Sequence, residues 1–295
     1  MDSITLLDGS MGQEIVNRSG QEPHGLWPTL IMRDQPEMVR GVHDDYFAAG
    51  AEIATTNTYV LHHDRLQSFD MDDQFEALHH LACRLACESR DAHKTGLVAG
   101  SLGPMVRSYR PDLVLPADEA AESFAEIARL HAPYVDFMLC ETMSSVEQAR
   151  GAVMGAQAAD KPVWLSVTVD DTDGTKLRSG EPVQEILSLV QELDVAALLV
   201  NCAIPEAVTQ AVAILTDTGH GIPVGAYANG FTKITKAFTH DDDFTVASLE
   251  KRADLDANVY ADHVATWIES GATIIGGCCE VGPTHIAELA KRFKA

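Results

Sequence analysis

Two adjacent cysteines, Cys278 and Cys279, follow the run Ile274-Ile275-Gly276-Gly277 and precede Pro283, a residue suited to opening a helix. Glycines at the end of a β-branched strand let the backbone turn tightly and approach a ligand closely. Neighbouring cysteines are too constrained to pair easily with each other, so their sulfurs are better suited to facing one soft metal ion. Two sulfurs do not make a zinc site. A third stands at Cys202, which also closes an apolar run, Leu198-Leu199-Val200-Asn201. Three thiolates leave one position of a tetrahedral zinc open, which is the arrangement of a catalytic ion rather than a structural one. Cys83 and Cys87 on a helix and Cys140 in a strand fit the role of small buried hydrophobes. His62-His63, His79-His80 and His285 are explained by helix faces and termini, and the aspartate run 241–243 by a solvated loop.

Bringing Cys202 to Cys278 and Cys279 requires a fold that gathers distant strand ends. Short apolar runs alternate with amphipathic stretches along the whole chain. Strands are predicted over residues 4–7, 53–59, 97–99, 135–140, 163–169, 197–200, 224–227 and the run before Cys278. Helices are predicted over 36–49, 75–93, 118–131, 144–159, 182–192, 205–215, 255–270 and 283–293. Gly50 closes the first of these helices, Ser144 or Ser145 caps the fourth, and prolines lead the fifth, sixth and eighth. Eight strand–helix units make a (β/α)8 TIM-type barrel, an α/β fold taken here as one domain over residues 1–295, with an open doubly wound sheet as the alternative. No G-x-G-x-x-G follows a strand, which weighs against a dinucleotide site. In a barrel the C-terminal strand ends share one face. Asp8, Glu141, Cys202, Cys278 and Cys279 all fall at such ends.

Composition narrows the partners. The 295 residues carry 44 acidic against 21 basic side chains, a formal charge of −23, which repels phosphate backbones and disfavours nucleic acid. No charged n-region with a long apolar core opens the chain, and no apolar run approaches the ~18 residues of a membrane span, so neither secretion nor membrane insertion is expected. The six cysteines lack a small-scaffold disulfide spacing and are expected as reduced thiols in a cytoplasm.

These residues also resemble a known family. Gly276 through Ile286 match the G-G-C-C-x-x-x-P-x-H-I ending of the zinc-dependent homocysteine S-methyltransferases, and Leu7-Asp8-Gly9, Val42-His43, Ala49-Gly50-Ala51 and Thr56-x-x-Tyr59 are similar as well. So are Gly100-Ser101-x-Gly103-Pro104, Glu141-Thr142 and Asn201-Cys202, which extends the resemblance over essentially the whole chain. One departure is Tyr227-Ala228-Asn229, where many relatives carry Tyr-Pro-Asn; Asn229 is still counted among the substrate-binding candidates. The resemblance implies that Cys202, Cys278 and Cys279 bind Zn2+ and that Asp8 and Glu141 hold the amino group of homocysteine, an α-ammonium needing anionic partners. It also implies a methyl transfer that yields methionine. An alkyl thiol has a pKa near 8.5 or above, whereas a thiol on zinc is deprotonated, and three cysteinate ligands leave the bound sulfur nucleophilic enough to attack a methyl-onium donor directly.

The donor is the finest question. A quaternary ammonium such as betaine is held by several aromatic rings through cation–π contacts of about 0.5 to 2 kcal/mol. Near the expected pocket the sequence offers Trp27 and Tyr59, and Thr142-Met143 rather than a ring follows Glu141, which looks thin for betaine. A small sulfonium, S-methylmethionine first and S-adenosylmethionine next, is therefore expected, with betaine behind and a corrinoid or folate donor as a further alternative. An alternative of another class is a non-catalytic zinc-thiolate sensor or store closed by a fourth ligand such as His285. The chain stops soon after Pro283, without the C-terminal extension by which longer betaine-using relatives tetramerise, so a monomer or weak homodimer is expected.

Overall fold

The computed structural model describes residues 3–20, 25–26, 28–235, 238–239 and 249–294. Parallel strands β1 (Thr5–Leu6), β2 (Ile53–Thr55), β3 (Leu97–Leu102), β4 (Phe137–Met143), β5 (Val163–Val167), β6 (Ala197–Asn201), β7 (Val224–Tyr227) and β8 (Ile274–Ile275) form one sheet. Their order is β1-β8-β7-β6-β5-β4-β3-β2, and a parallel bridge from Leu7 to Ile53 joins the first strand to the second, closing a TIM-type barrel. The helices are α1 (Met11–Ser19), α2 (Thr29–Asp34), α3 (Pro36–Ala48), α4 (His63–Gln67), α5 (Phe75–His93), α6 (Ala117–His131), α7 (Val146–Ala156), α8 (Leu187–Glu192), α9 (Pro205–Thr216), α10 (Ala257–Glu269) and α11 (Pro283–Phe293).

Side-chain alternation along each strand separates two apolar layers. In β4, Phe137 and Leu139 face the barrel interior with Leu7, Ile53, Ala99, Ala197, Leu199, Tyr227 and Ile274. Met138 and Cys140 face outward into the larger core beneath the helices. Phe137 stacks on Trp164, ring centroids 4.0 Å apart, and both stand at the N-terminal ends of their strands, so these rings floor the barrel. The same parity that points Phe137 and Leu139 inward brings Glu141 to the opposite, C-terminal mouth, and in β6 it does the same for Asn201 after Ala197 and Leu199.

Most predicted elements stand within two or three residues of their expected limits. Ser145 caps α7 by accepting the Gln148 amide N–H at 3.1 Å. Gly50 turns the chain after α3 with φ +105, a conformation that a Cβ would oppose. Helices α1, α2 and α4 lie where no element was expected. The glycines before the cysteine pair also differ from expectation in their reason. Neither Gly276 nor Gly277 has a positive φ. They are excluded from carrying a side chain by packing, since a Cβ on Gly276 would lie 2.6 Å from the Leu7 Cβ and one on Gly277 would run into Val281.

Candidate active site

Three sulfurs meet at the barrel mouth. The Sγ atoms of Cys202, Cys278 and Cys279 lie within 4.8 Å of one another. Cys202 follows β6 directly in a left-handed conformation, φ 50, that aims its side chain across the mouth rather than along the strand. Its carbonyl is held by the Thr168 hydroxyl at 3.1 Å and by Arg178 Nη2 at 3.2 Å. Arg178 is itself paired with the buried Asp171 at 3.0 Å, which also accepts the amide N–H groups of Ile204 and Ile234. The Cys278 amide donates to the Ala228 carbonyl at 3.0 Å, the Cys279 carbonyl accepts the Gly230 amide at 2.8 Å, and the Gly277 amide reaches the Asp8 carbonyl at 3.0 Å. The cysteine pair is thus tied to the exits of β7 and β1.

Cys202 and Cys278 are joined as a disulfide with their Cα atoms 5.8 Å apart, while Cys279 keeps a free thiol. This departs from the expectation of six reduced thiols. Sequence spacing judges only neighbours along the chain, whereas closure of the barrel sets two distant strand exits at a separation a disulfide spans. Burial pushes the Cys279 thiol up to about 12. Cys83 and Cys140 are buried in the outer core, and Cys87 donates to the Tyr134 carbonyl at 3.2 Å, in keeping with their packing role.

Two carboxylates face the same cavity. Asp8 is 4% exposed and accepts the Thr55 amide at 2.6 Å and the Thr55 hydroxyl at 2.8 Å. Burial raises its pKa to about 7 despite these bonds, and the charge of Glu141 adds to the rise. Glu141, 8% exposed, accepts the Ser101 hydroxyl at 2.5 Å and the Tyr227 hydroxyl at 3.2 Å. Burial raises its pKa too, against the pull of both hydroxyls. The next residue, Thr142, is held at φ 65, costly for a β-branched side chain, by Asn201. The Asn201 Oδ1 accepts the Thr142 amide at 3.0 Å and its Nδ2 donates to the Thr142 hydroxyl at 2.9 Å.

Above these groups opens a cavity of about 660 Å3, lined by Asp8, Glu141 and all three cysteines. Tyr59 lines it and shares a hydrogen bond with Ser108 at 2.8 Å. Phe69, Tyr109, Tyr227 and Phe238 line it as well, so the rings are more numerous than the sequence indicated. Tyr109 and Phe238 approach to 6.1 Å between centroids, and the Arg178 guanidinium lies 4.8 Å over the Tyr109 ring. Trp27 and the aspartates of 241–243 fall outside the described residues. Asn229, expected among the substrate-binding residues, is fully buried and does not line the cavity; its Oδ1 accepts the Phe231 amide at 3.1 Å. His285 packs against Tyr260 with Nε2 3.4 Å from the Leu255 carbonyl and takes no part in the sulfur cluster. His62 and His79 bond backbone carbonyls of Gly103 and Leu61, His79 also bonds His131, and His63 pairs with Asp72, all structural roles. Thr55, Ser101, Tyr227, Arg65, Arg107 and Tyr109 are site residues that sequence reasoning had not assigned to the site; only Ser101 and Tyr227 stood in motifs that could have signalled them.

The profile of the homocysteine S-methyltransferase family matches residues 5–293. A homocysteine S-methyltransferase of Escherichia coli (strain K12) is 30% identical, covering 98% of this chain and 95% of its own. The homocysteine S-methyltransferase YbgG of Bacillus subtilis (strain 168) is 25% identical over 97% of this chain and 93% of its own. The crystal structure of the homocysteine methyltransferase MmuM from Escherichia coli in its metallated form superposes with a TM-score of 0.81 at 26% identity, covering 99% and 96% of the two chains. Its oxidised form gives 0.82 at 27% identity, covering 98% and 96%.

Proposed function

This chain belongs to the homocysteine S-methyltransferase family, and from that premise we propose that Cys202, Cys278 and Cys279, once reduced, hold a zinc ion beside which homocysteine is methylated by a small sulfonium donor. The observation that carries the reading is the convergence of three sulfurs and two buried carboxylates on one cavity at the barrel mouth. The donor set fits the ion. Three thiolates are a donor set that zinc prefers, and reduction of the Cys202–Cys278 disulfide would free all three sulfurs, which lie within 4.8 Å of one another, to hold it. When bound, the zinc supplies a fourth position that keeps the homocysteine sulfur as a thiolate at neutral pH.

The rest is the work of the chain's own side chains. Asp8 and Glu141 receive the α-ammonium of homocysteine, which compensates two carboxyls that burial otherwise holds toward neutrality. Thr55, Ser101 and Tyr227 fix the carboxylate oxygens and so fix the acceptor's orientation. The rings around the cavity exclude water and offer π faces to a cationic methyl donor. Alignment of the donor methyl with the acceptor sulfur then supplies much of the acceleration.

S-methylmethionine is the proposed donor, because a sulfonium transfers methyl more readily than a quaternary ammonium and needs less of a cage. A second reading, betaine, is favoured by the five described rings that line the cavity. Methionine formation from homocysteine, with S-methylmethionine, S-adenosylmethionine and betaine at equal concentration, decides between them. A kcat/KM for betaine about tenfold above every sulfonium would overturn the donor assignment while leaving the acceptor half intact. We further propose that residues 1–295 act as one barrel domain and that the enzyme works as a monomer or weak homodimer.

A further inference from the structure

Arg65 stands on α4 with its side chain lining the catalytic cavity. It is partly buried, and its Nε is enclosed without a hydrogen-bond partner. Among the described residues it forms no hydrogen bond or ion pair, in contrast to Arg178 with Asp171 and Arg252 with Glu206. Its neighbours are engaged elsewhere. Asp64 accepts the Val106 amide at 3.0 Å, and the Tyr59 hydroxyl is bonded to Ser108. A second guanidinium, Arg107, lines the same cavity and donates to the Phe238 carbonyl at 3.1 Å. Burial, chiefly, with the like charge of Arg107, pulls the Arg65 guanidinium below its ordinary range against the opposing influence of Tyr59 and Asp64. An enclosed cation without a partner is costly unless an anion completes it.

The cavity is therefore polarised. Asp8 and Glu141, joined by the cysteine thiolates once zinc is held, mark one part as the anionic one, and Arg65 with Arg107 makes another part cationic. The anionic part suits an ammonium and an onium centre, while a guanidinium fork matches a carboxylate in two parallel hydrogen bonds. We infer that Arg65 receives the carboxylate of the methyl donor, so that the site selects onium donors carrying a carboxylate over otherwise equal donors without one. The inference rests on the proposed reading in which Asp8 and Glu141 hold the acceptor, and it makes Arg65 a specificity residue for the donor.

The test compares S-methylmethionine with its carboxamide, which keeps the sulfonium and removes the negative charge, at a pH below the amide's lowered α-ammonium pKa so that both donors keep that cation. Betaine and its amide are run in parallel on the zinc-loaded enzyme and on the Arg65→Gln and Arg65→Lys variants. The wild type is expected to prefer the acid over the amide by about tenfold or more in kcat/KM, the scale of one charge-assisted pair. Arg65→Gln removes that preference through the donor KM, leaves the amide rate and the homocysteine KM in place, and Arg65→Lys restores part of it. Equal losses for acid and amide, a rise in the homocysteine KM instead, or a wild type indifferent to the charge would each overturn the inference. An enzyme that ignores S-methylmethionine but discriminates betaine from its amide would refute the donor assignment and leave Arg65 in its role. Calorimetric titration of acid and amide on the wild type and on both Arg65 variants reads the same preference without turnover, and a preference that survives unchanged in Arg65→Gln would overturn the assignment to Arg65 in favour of Arg107.

Discussion

Replacing Asp8 by Asn separates the charge of the site from its shape. Asparagine keeps the size of the side chain, can still accept the Thr55 amide, and can donate to the Thr55 hydroxyl. What it removes is the anion offered to the homocysteine ammonium. Loss of a buried, hydrogen-bonded charge pair costs about 2 to 4 kcal/mol, or roughly 30- to 1000-fold in Kd. The pKa of about 7 adds a pH signature. At pH 6 only about one-tenth of the wild-type carboxyls are ionised, against about nine-tenths at pH 8, so the affinity advantage of the wild type over the variant should grow about tenfold across that interval. Stability moves the other way. The folded pKa lies above the ordinary 3.8, so the stability that Asp8 contributes is fully present below about 3.8 and is lost as pH rises through about 7. Above pH 7 the folded wild type carries the whole cost of ionising a buried carboxyl, at most about 4 kcal/mol, and the Asn variant should melt higher at pH 8 with an advantage that shrinks toward pH 5. Calorimetric titration with homocysteine and melting curves at both pH values, on zinc-loaded protein, test both arms. A wild-type-to-variant affinity ratio independent of pH, or loss of zinc in step with loss of homocysteine, would refute the assignment of Asp8 to the ammonium.

Glu141→Gln turns one amide N–H2 toward the Ser101 or Tyr227 hydroxyl and should weaken homocysteine binding by about tenfold or more while zinc stoichiometry is retained, as metal analysis beside titration would show. Alanine at Cys202, Cys278 or Cys279 should abolish zinc binding and activity together while far-UV circular dichroism stays that of the folded barrel, because the sulfurs sit at the strand exits above the barrel core; unfolded variants would indicate a structural metal instead. Light scattering at micromolar concentration should give a monomer or a weakly associating dimer, and a stable tetramer would refute that expectation.

The barrel was legible because its signals are local. Apolar runs of strand length alternate with amphipathic stretches along the chain, prolines open several of the helices and Gly50 follows one, and parity then places Glu141 and the residue before Cys202 at the mouth. Helices α1, α2 and α4 escaped notice because they are short, 9, 6 and 5 residues, and give few turns over which an apolar face can repeat. The five expected strand-exit residues were visible for the same reason as the strands. Their supports were not. Thr55 meets Asp8 across 47 positions and Tyr227 meets Glu141 across 86, distances over which sequence carries no pairing signal. The aromatic count was underestimated because Tyr109 and Phe238 lie far apart in the chain and approach only across the mouth. Arg65 follows His62-His63, read only as residues of a helix face or terminus, and no motif marks it; only the placement of α4 brings it to the cavity.

Substituting cobalt into the reduced protein and recording its visible spectrum as homocysteine is added asks whether the three sulfurs form an open metal site that takes the homocysteine thiol. One cobalt per chain is expected, with sulfur-to-cobalt charge-transfer bands that shift on adding homocysteine and saturate at one equivalent. Bands that ignore the thiol while cobalt remains bound would contradict it and point to a closed, non-catalytic site.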